Sequence, residues 1–146
     1  MSAASDFLEN KLLDHALRVT PYNAASFTTS TTLYLALFNT NGSTQATTNR
    51  IEAGTLTDEV STSGTAYARR PVAFAAASTG SSATSGTVTF VAATASFGSI
   101  THVAVMDSDV EGSGNVIFFG TVTTAKTIDT GDTFQVTAGN LTVALA

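Results

Sequence analysis

The spacing of apolar residues changes character once along the chain. Leu8, Leu12 and Ala16 recur every four positions, Leu13 and Leu17 widen the stripe, and Glu9, Lys11, Asp14 and Arg18 fall mainly off it. This is the period of an amphipathic helix and predicts one over Asp6 to Val19. Asp6 with Glu9 three positions on resembles a capping pair, and Pro21 stops the helix because it cannot donate to the ladder. Two arrangements stay open for the helix: Phe7, Leu8, Leu12 and Leu13 pack on one face of the domain, or they dock on a neighbouring subunit.

Beyond Pro21 the pattern becomes short β-branched or aromatic runs between Gly, Ser, Asn and Asp. Leu33, Leu35 and Leu37 alternate with Tyr34, Ala36 and Phe38, which is apolar on both faces and suits a strand in the middle of a core. Asn41-Gly42 marks a turn. The polar stretch Ser43 to Gly64 reads as a long surface loop, with room for a short strand near Ile51 or Leu56. Tyr67 to Phe74 resumes strand character, and Pro71 assigns it to a sheet edge or a bulge because proline lacks the ladder donor. Ala75 to Gly86 reads as a linker. Val88 with Phe90, then Ile100 to Met106, then Val116 to Val122 give further strands, with the polar Asp107 to Asn115 between the last two. Phe134, Val136 and Ala138, and then Leu141, Val143 and Leu145, alternate with polar or small residues and predict two half-exposed strands joined by a Gly139-Asn140 turn.

Seven or eight short strands after a single helix predict a mainly β protein, an antiparallel β-sandwich of jelly-roll type with one N-terminal α-helix. Residues 1–20 form a helical arm and residues 21–146 a single β-sandwich domain. No repeat of fixed period is present, which excludes solenoids and propellers.

Composition narrows the function classes. The 146 residues contain no Cys, which excludes a disulfide scaffold, a thiolate metal site and a cysteine nucleophile. Six Lys and Arg against eleven Asp and Glu provide too few cations to neutralise a row of phosphates, so no nucleic-acid partner is expected. No apolar run reaches the roughly 20 residues of a membrane span, and Met1 to Glu9 lacks the pattern of a secretion signal, so neither a membrane nor export is expected. Charged residues are 12% of the chain, about half the usual share, and a surface of neutral hydroxyls has little repulsion to keep copies apart.

Each chemical motif has a plainer reading. Asp129-Thr130-Gly131 matches the short signature of aspartic proteases but lacks a partner motif, and a tight turn explains it. Asp107, Asp109 and Glu111 before Gly112 resemble an oxygen-rich Ca²⁺ loop, yet the position of the bidentate Glu is occupied by Phe118, which leaves a solvated hairpin loop. His15 lies at the border of the helix stripe, and His102 shares a strand face with Ile100, Ala104 and Met106, where a hydrogen-bonded packing role is expected. Arg69 and Arg70, adjacent on a strand, point to opposite faces, so one can pair inside the fold while the other meets an acidic partner. Asn41-Gly42-Ser43 and Asn140-Leu141-Thr142 match glycosylation acceptors without a secretion signal to use them. No catalytic residue, metal or cofactor is expected.

Five segments together resemble a family of small tailed-bacteriophage virion proteins: Ser5 to His15, Leu33 to Phe38, Tyr67 to Phe74, Ile100 to Asp107, and Thr130-Gly131-Asp132-Thr133-Phe134. The resemblance spans nearly the whole chain in order. It implies a non-enzymatic capsid cement or decoration subunit, a homotrimer on the capsid exterior that is made in the host cytoplasm and has the major capsid protein as partner. The alternative it implies is a tail-fibre or baseplate component that recognises the host, although the long repeats of a fibre shaft are absent. On the cement reading, Phe7, Leu8, Leu12, Leu13, Tyr67, Arg69 and Arg70 supply the subunit and capsid contacts.

Overall fold

The computed structural model describes residues 2–17, 32–39 and 48–144. The elements are β1 (Ser2–Ala4), α1 (Asp6–Leu17), β2 (Leu33–Asn39), α2 (Thr48–Glu52), β3 (Arg70–Val72), β4 (Ser81–Ala83), β5 (Val88–Thr89), β6 (Gly98–Met106), β7 (Val116–Ile128), β8 (Gln135–Val136) and β9 (Thr142–Ala144). The protein is mainly β and overwhelmingly antiparallel, as the strand spacing predicts. A seven-stranded sheet runs β3-β2-β6-β7-β1-β9-β4, and β5 pairs with β8 in a second, two-stranded sheet.

The double-sided apolar run becomes a buried strand. Leu35 to Phe38 have no exposed surface, and the two faces of β2 feed two separate clusters. Leu35 and Leu37 join Tyr67, Phe90, Phe97, Ile100, Ile128 and other residues between the sheets. Ala36 and Phe38 pack with Ile51, Ala104, Met106, Val116 and Phe119 on the other side. Pro71 lies opposite Tyr34 in β3, a terminal strand of the sheet, as its missing N–H requires. Where β3 ends, Asp58 to Val60 replaces it beside β2: Asn39 N–H donates to the Asp58 carbonyl (3.1 Å) and Val60 N–H to the Leu37 carbonyl (2.9 Å).

Several expectations are corrected. The segment read as a long loop with a possible strand forms α2, whose Ile51 covers the second cluster. The segment read as a linker contains β4, and a hairpin in which Ala75 N–H bonds the Ala83 carbonyl and Ser85 N–H the Ala73 carbonyl (both 2.9 Å) joins the two ends of the large sheet. The last two strands are not a hairpin. The turn at Gly139 (φ 82°) exists, but it carries the chain from β8 in the small sheet to β9 in the large one. β7 extends six residues beyond the expected end at Val122.

The N-terminal segment adds a strand to the interior of the sheet. β1 pairs antiparallel with β7 (Ser2 opposite Gly120, Ala4 opposite Phe118) and parallel with β9 (Ser2 beside Val143). The helix cap is Ser5, not Asp6: Ser5 Oγ accepts the Leu8 N–H at 3.3 Å and donates to the Val116 carbonyl. A hydroxyl can serve both bonds, whereas a carboxylate cannot donate to a carbonyl. Ile117 is the extra residue of a bulge between β6 and β7, and its side chain packs with Ala4 and Leu8. The predicted helix end at Val19, the stop at Pro21, the Asn41-Gly42 turn and the side chain of His15 lie outside the described residues.

Candidate interaction surfaces

The expected contact residues divide between inside and outside. Leu8 (3% exposed), Tyr67 (4%) and Arg69 (4%) are interior side chains, which corrects their assignment to a surface. Phe7 and Leu12 are half-buried against the Ala4, Leu8 and Ile117 cluster. Leu13 (56%) and Leu17 (72%), one helical turn apart, are exposed. Arg70 is half-buried on β3.

Arg69 and Glu59 form a buried ion pair that sequence reading could not assemble. Arg69 Nε donates to Glu59 Oε1 and Nη2 to Oε2, both at 2.7 Å, the bidentate geometry that makes such pairs strong. Arg69 Nη1 donates to the carbonyls of Ser108 (2.7 Å) and Ser113 (2.8 Å), and Glu59 Oε2 accepts the Gly112 N–H at 2.9 Å. The pair therefore grips the backbone of the β6–β7 hairpin loop. Tyr67 adds a third member: its hydroxyl donates to Glu59 Oε1 (2.9 Å) and accepts the Leu37 N–H (3.1 Å), while its ring stacks on Phe90 and meets Phe97 edge-on. Burial, reinforced by the neighbouring Glu59 charge, pushes the Tyr67 hydroxyl far above its usual value. For Arg69, burial works against the charge, but the Glu59 hydrogen bonds and charge outweigh it and raise its proton affinity. The alternation of Arg69 and Arg70 was legible; the partner, ten residues earlier, was not.

The remaining motifs resolve into structural roles. In the Asp107 to Asn115 loop the carboxylates diverge: Asp107 accepts from the Asn115 N–H (2.6 Å) and Asn115 Nδ2 (2.7 Å), and Glu111 accepts from the Thr62 N–H (2.8 Å) and hydroxyl (2.5 Å). No group of three metal-ligating side chains occurs among the described residues. Gly114 (φ 82°) is required there, since a Cβ would lie 2.5 Å from Ser108 Cβ. Asp129-Thr130-Gly131 is a turn in which Asp132 Oδ2 accepts the Asp129 N–H at 3.1 Å and Gly131 takes φ 92°. His102 is buried opposite Phe38 with Nδ1 2.9 Å from Thr101 Oγ1, and burial lowers its proton affinity. A register shift at Thr101 sends Ile100 to the first core cluster, away from Ala104 and Met106. A second ion pair, Arg50 Nη1 to Asp58 Oδ2 at 2.6 Å, fastens α2 to the strand-like segment beside β2.

Three surfaces can meet other molecules. One is the Leu13 and Leu17 patch of α1. Another is the tip of the β6–β7 loop, where Val110 is 56% exposed. The third is a groove of about 330 Å³ between residues 120–123 of β7 and the segment 134–142, in which no lining residue is charged.

A family model described as Podophage GP4 fiber I protein gp80 matches residues 3–144. No curated protein matches the chain.

Proposed function

We infer the function from one premise: the chain belongs to the family described as podophage GP4 fiber I protein gp80, matched over almost its entire length. It is a bacteriophage structural protein. We propose that it is a subunit of the tail-fibre assembly and that its work is to hold neighbouring virion chains. The observation that carries this reading is the family match, whose description names a fibre component. The cement reading expected above receives less support from that description.

The chemistry supports a holding role without catalysis. The carboxylates of the Asp107 and Asp129 loops accept backbone amides, and His102 is packed in the sheet. Exposed Leu13 and Leu17 give α1 an apolar patch that suits a neighbouring subunit, where central apolar contacts supply most of the affinity. Repetition of a modest contact around a symmetric assembly multiplies its hold by avidity.

A capsid-exterior cement protein, a homotrimer on the major capsid protein, is the second reading; the low charge content and the absence of shaft-like repeats favour it. One measurement separates the two. Antibody labelling of purified virions, combined with quantitative gel densitometry, is expected to find a few copies at the tail. Many copies distributed over the head would overturn the fibre reading and establish the cement one.

A further inference from the structure

Charge is distributed unevenly along the chain, and the fold turns that pattern into a surface. No Asp, Glu, Lys or Arg occurs in residues 71–106 or in residues 133–146. At the chain's 12% charged content, these two stretches together would carry about six such side chains. The segment Asp107 to Asp132, which is charged, separates them in sequence, and strand pairing brings them together: β5 pairs with β8, and β4 with β9. Thr84 N–H donates to the Leu141 carbonyl (3.0 Å) and Gly139 N–H to the Thr84 carbonyl (2.8 Å), which joins the two pairs.

The small sheet displays the consequence. Its inward residues Val88, Phe90 and Phe134 complete the first core cluster. Its outward residues, Thr87, Thr89 and Val91 along β5 and Gln135 and Thr137 along β8, are exposed. These side chains are held in order: Gln135 Nε2 donates to Thr89 Oγ1 on the opposite strand (2.8 Å), and Thr87 Oγ1 accepts the Ala138 N–H (3.3 Å). Val91 is 49% exposed at the end of the row. Soluble surfaces commonly carry about 25–35% charged residues, whose repulsion and hydration keep copies apart. This face carries none.

The charge pattern also selects the occupant. A partner that brought charge to this face would bury it without a counter-charge, which is costly, so the opposing surface must be neutral as well. α1, α2, the β6–β7 loop and the turn between β7 and β8 all contain acidic residues. In a chain of net charge -5, two copies therefore meet on this side with the least carboxylate repulsion. A two-fold contact uses the same patch on both subunits, and a neutral patch is compatible with itself.

We propose that the outer face of the small sheet is a contact between two copies of this chain, sheet on sheet about 10 Å apart, with Val91 and the threonines interleaved. A single contact of this kind is weak, and it gains hold where an assembly keeps copies side by side. It stands on the charge pattern and the fold, and the virion reading is not needed for it.

The test is sedimentation equilibrium of the full chain from about 1 µM to about 1 mM, in about 20 mM and about 500 mM NaCl. Reversible dimerisation is expected, and it should be stronger at high salt, because screening removes the repulsion between copies and leaves a neutral contact intact. Thr89→Glu should weaken it by about tenfold or more, and Thr137→Glu on the neighbouring strand should do the same. Ala53→Glu, exposed beside α2 on the opposite side of the large sheet, adds the same charge and should change it by less than about twofold. Circular dichroism of each variant verifies that the fold is kept. A monomer at every concentration in both salts would overturn the proposal. So would equal weakening by Ala53→Glu and Thr89→Glu, which would make the effect one of net charge, or a dimer that dissociates at high salt. An oligomer that Thr89→Glu and Thr137→Glu both leave intact would place the contact elsewhere and overturn it too. Absence of the chain from purified virions would refute the virion reading and leave this measurement untouched.

Discussion

Glu59 accepts buried hydrogen bonds from Tyr67 and from two nitrogens of Arg69, and a partly buried one from the Gly112 backbone. Glu59→Gln keeps the shape and removes the charge, which leaves the Arg69 guanidinium buried without its counter-ion. A loss of about 3–5 kcal/mol in urea unfolding is expected. The double variant Glu59→Gln with Arg69→Met should recover part of that loss, and simple additivity of the two single losses would refute the coupling. His102 gives a pH dependence of definite sign. Because burial lowers its proton affinity in the fold, the unfolded chain binds the proton first as pH falls through about 6.5. Stability contributed by neutral His102 is therefore complete above that pH and declines below it. Urea midpoints at about pH 7.5 and about pH 5.5 should differ less in His102→Gln than in the parent, and an equal difference would exclude His102 as the source. Sequence reading singled out Arg69 and His102 but not Glu59 or the surroundings of either: a strand pattern shows which way Arg69 points, whereas its carboxylate partner is selected by tertiary packing.

Ser5 holds the junction of β1, α1 and β7. Ser5→Ala removes a helix cap and strips the Val116 carbonyl of a donor, and about 1–3 kcal/mol should be lost in thermal unfolding, against little change for Asp6→Asn. The exposed face of α1 should behave oppositely. Leu13→Asp with Leu17→Asp is expected to leave the melting temperature within a few degrees and to abolish incorporation into virions; normal incorporation would remove α1 from the contact surface. Elements with strong periodicity were legible: α1, the two-faced β2, the body of β6, and β3 through its proline. Those that escaped had no periodic signal to give. Ser2-Ala3-Ala4 has neither β-branching nor apolar alternation, and the single helical turn of Thr48–Glu52 is shorter than any helical period can reveal. The alternation of residues 134–145 reported strands correctly but not their partners, because a period of two describes faces and is silent about neighbours. Of the surfaces, the helix stripe was visible in advance; the groove was not, since its walls meet only through the placement of β1.

At the scale of the molecule, β1 separates β7 from β9 and shields an edge of each. Deleting residues 1–4 should expose both edges, and dynamic light scattering is expected to show concentration-dependent association of the shortened chain; a monodisperse monomer would show that β1 is dispensable. The ion pair of Arg69 and Glu59 adds a second long-range tie, drawing residues 59, 69 and 108–113 together. The order in which the chain is made then acquires a meaning. Residues 2–4 pair with residues 118–120 and 143, so the large sheet stays open until β7 and β9 have both been made. Until then the chain is a latch without its catch, and every surface that depends on the closed sheet comes into being only once β9 has joined it.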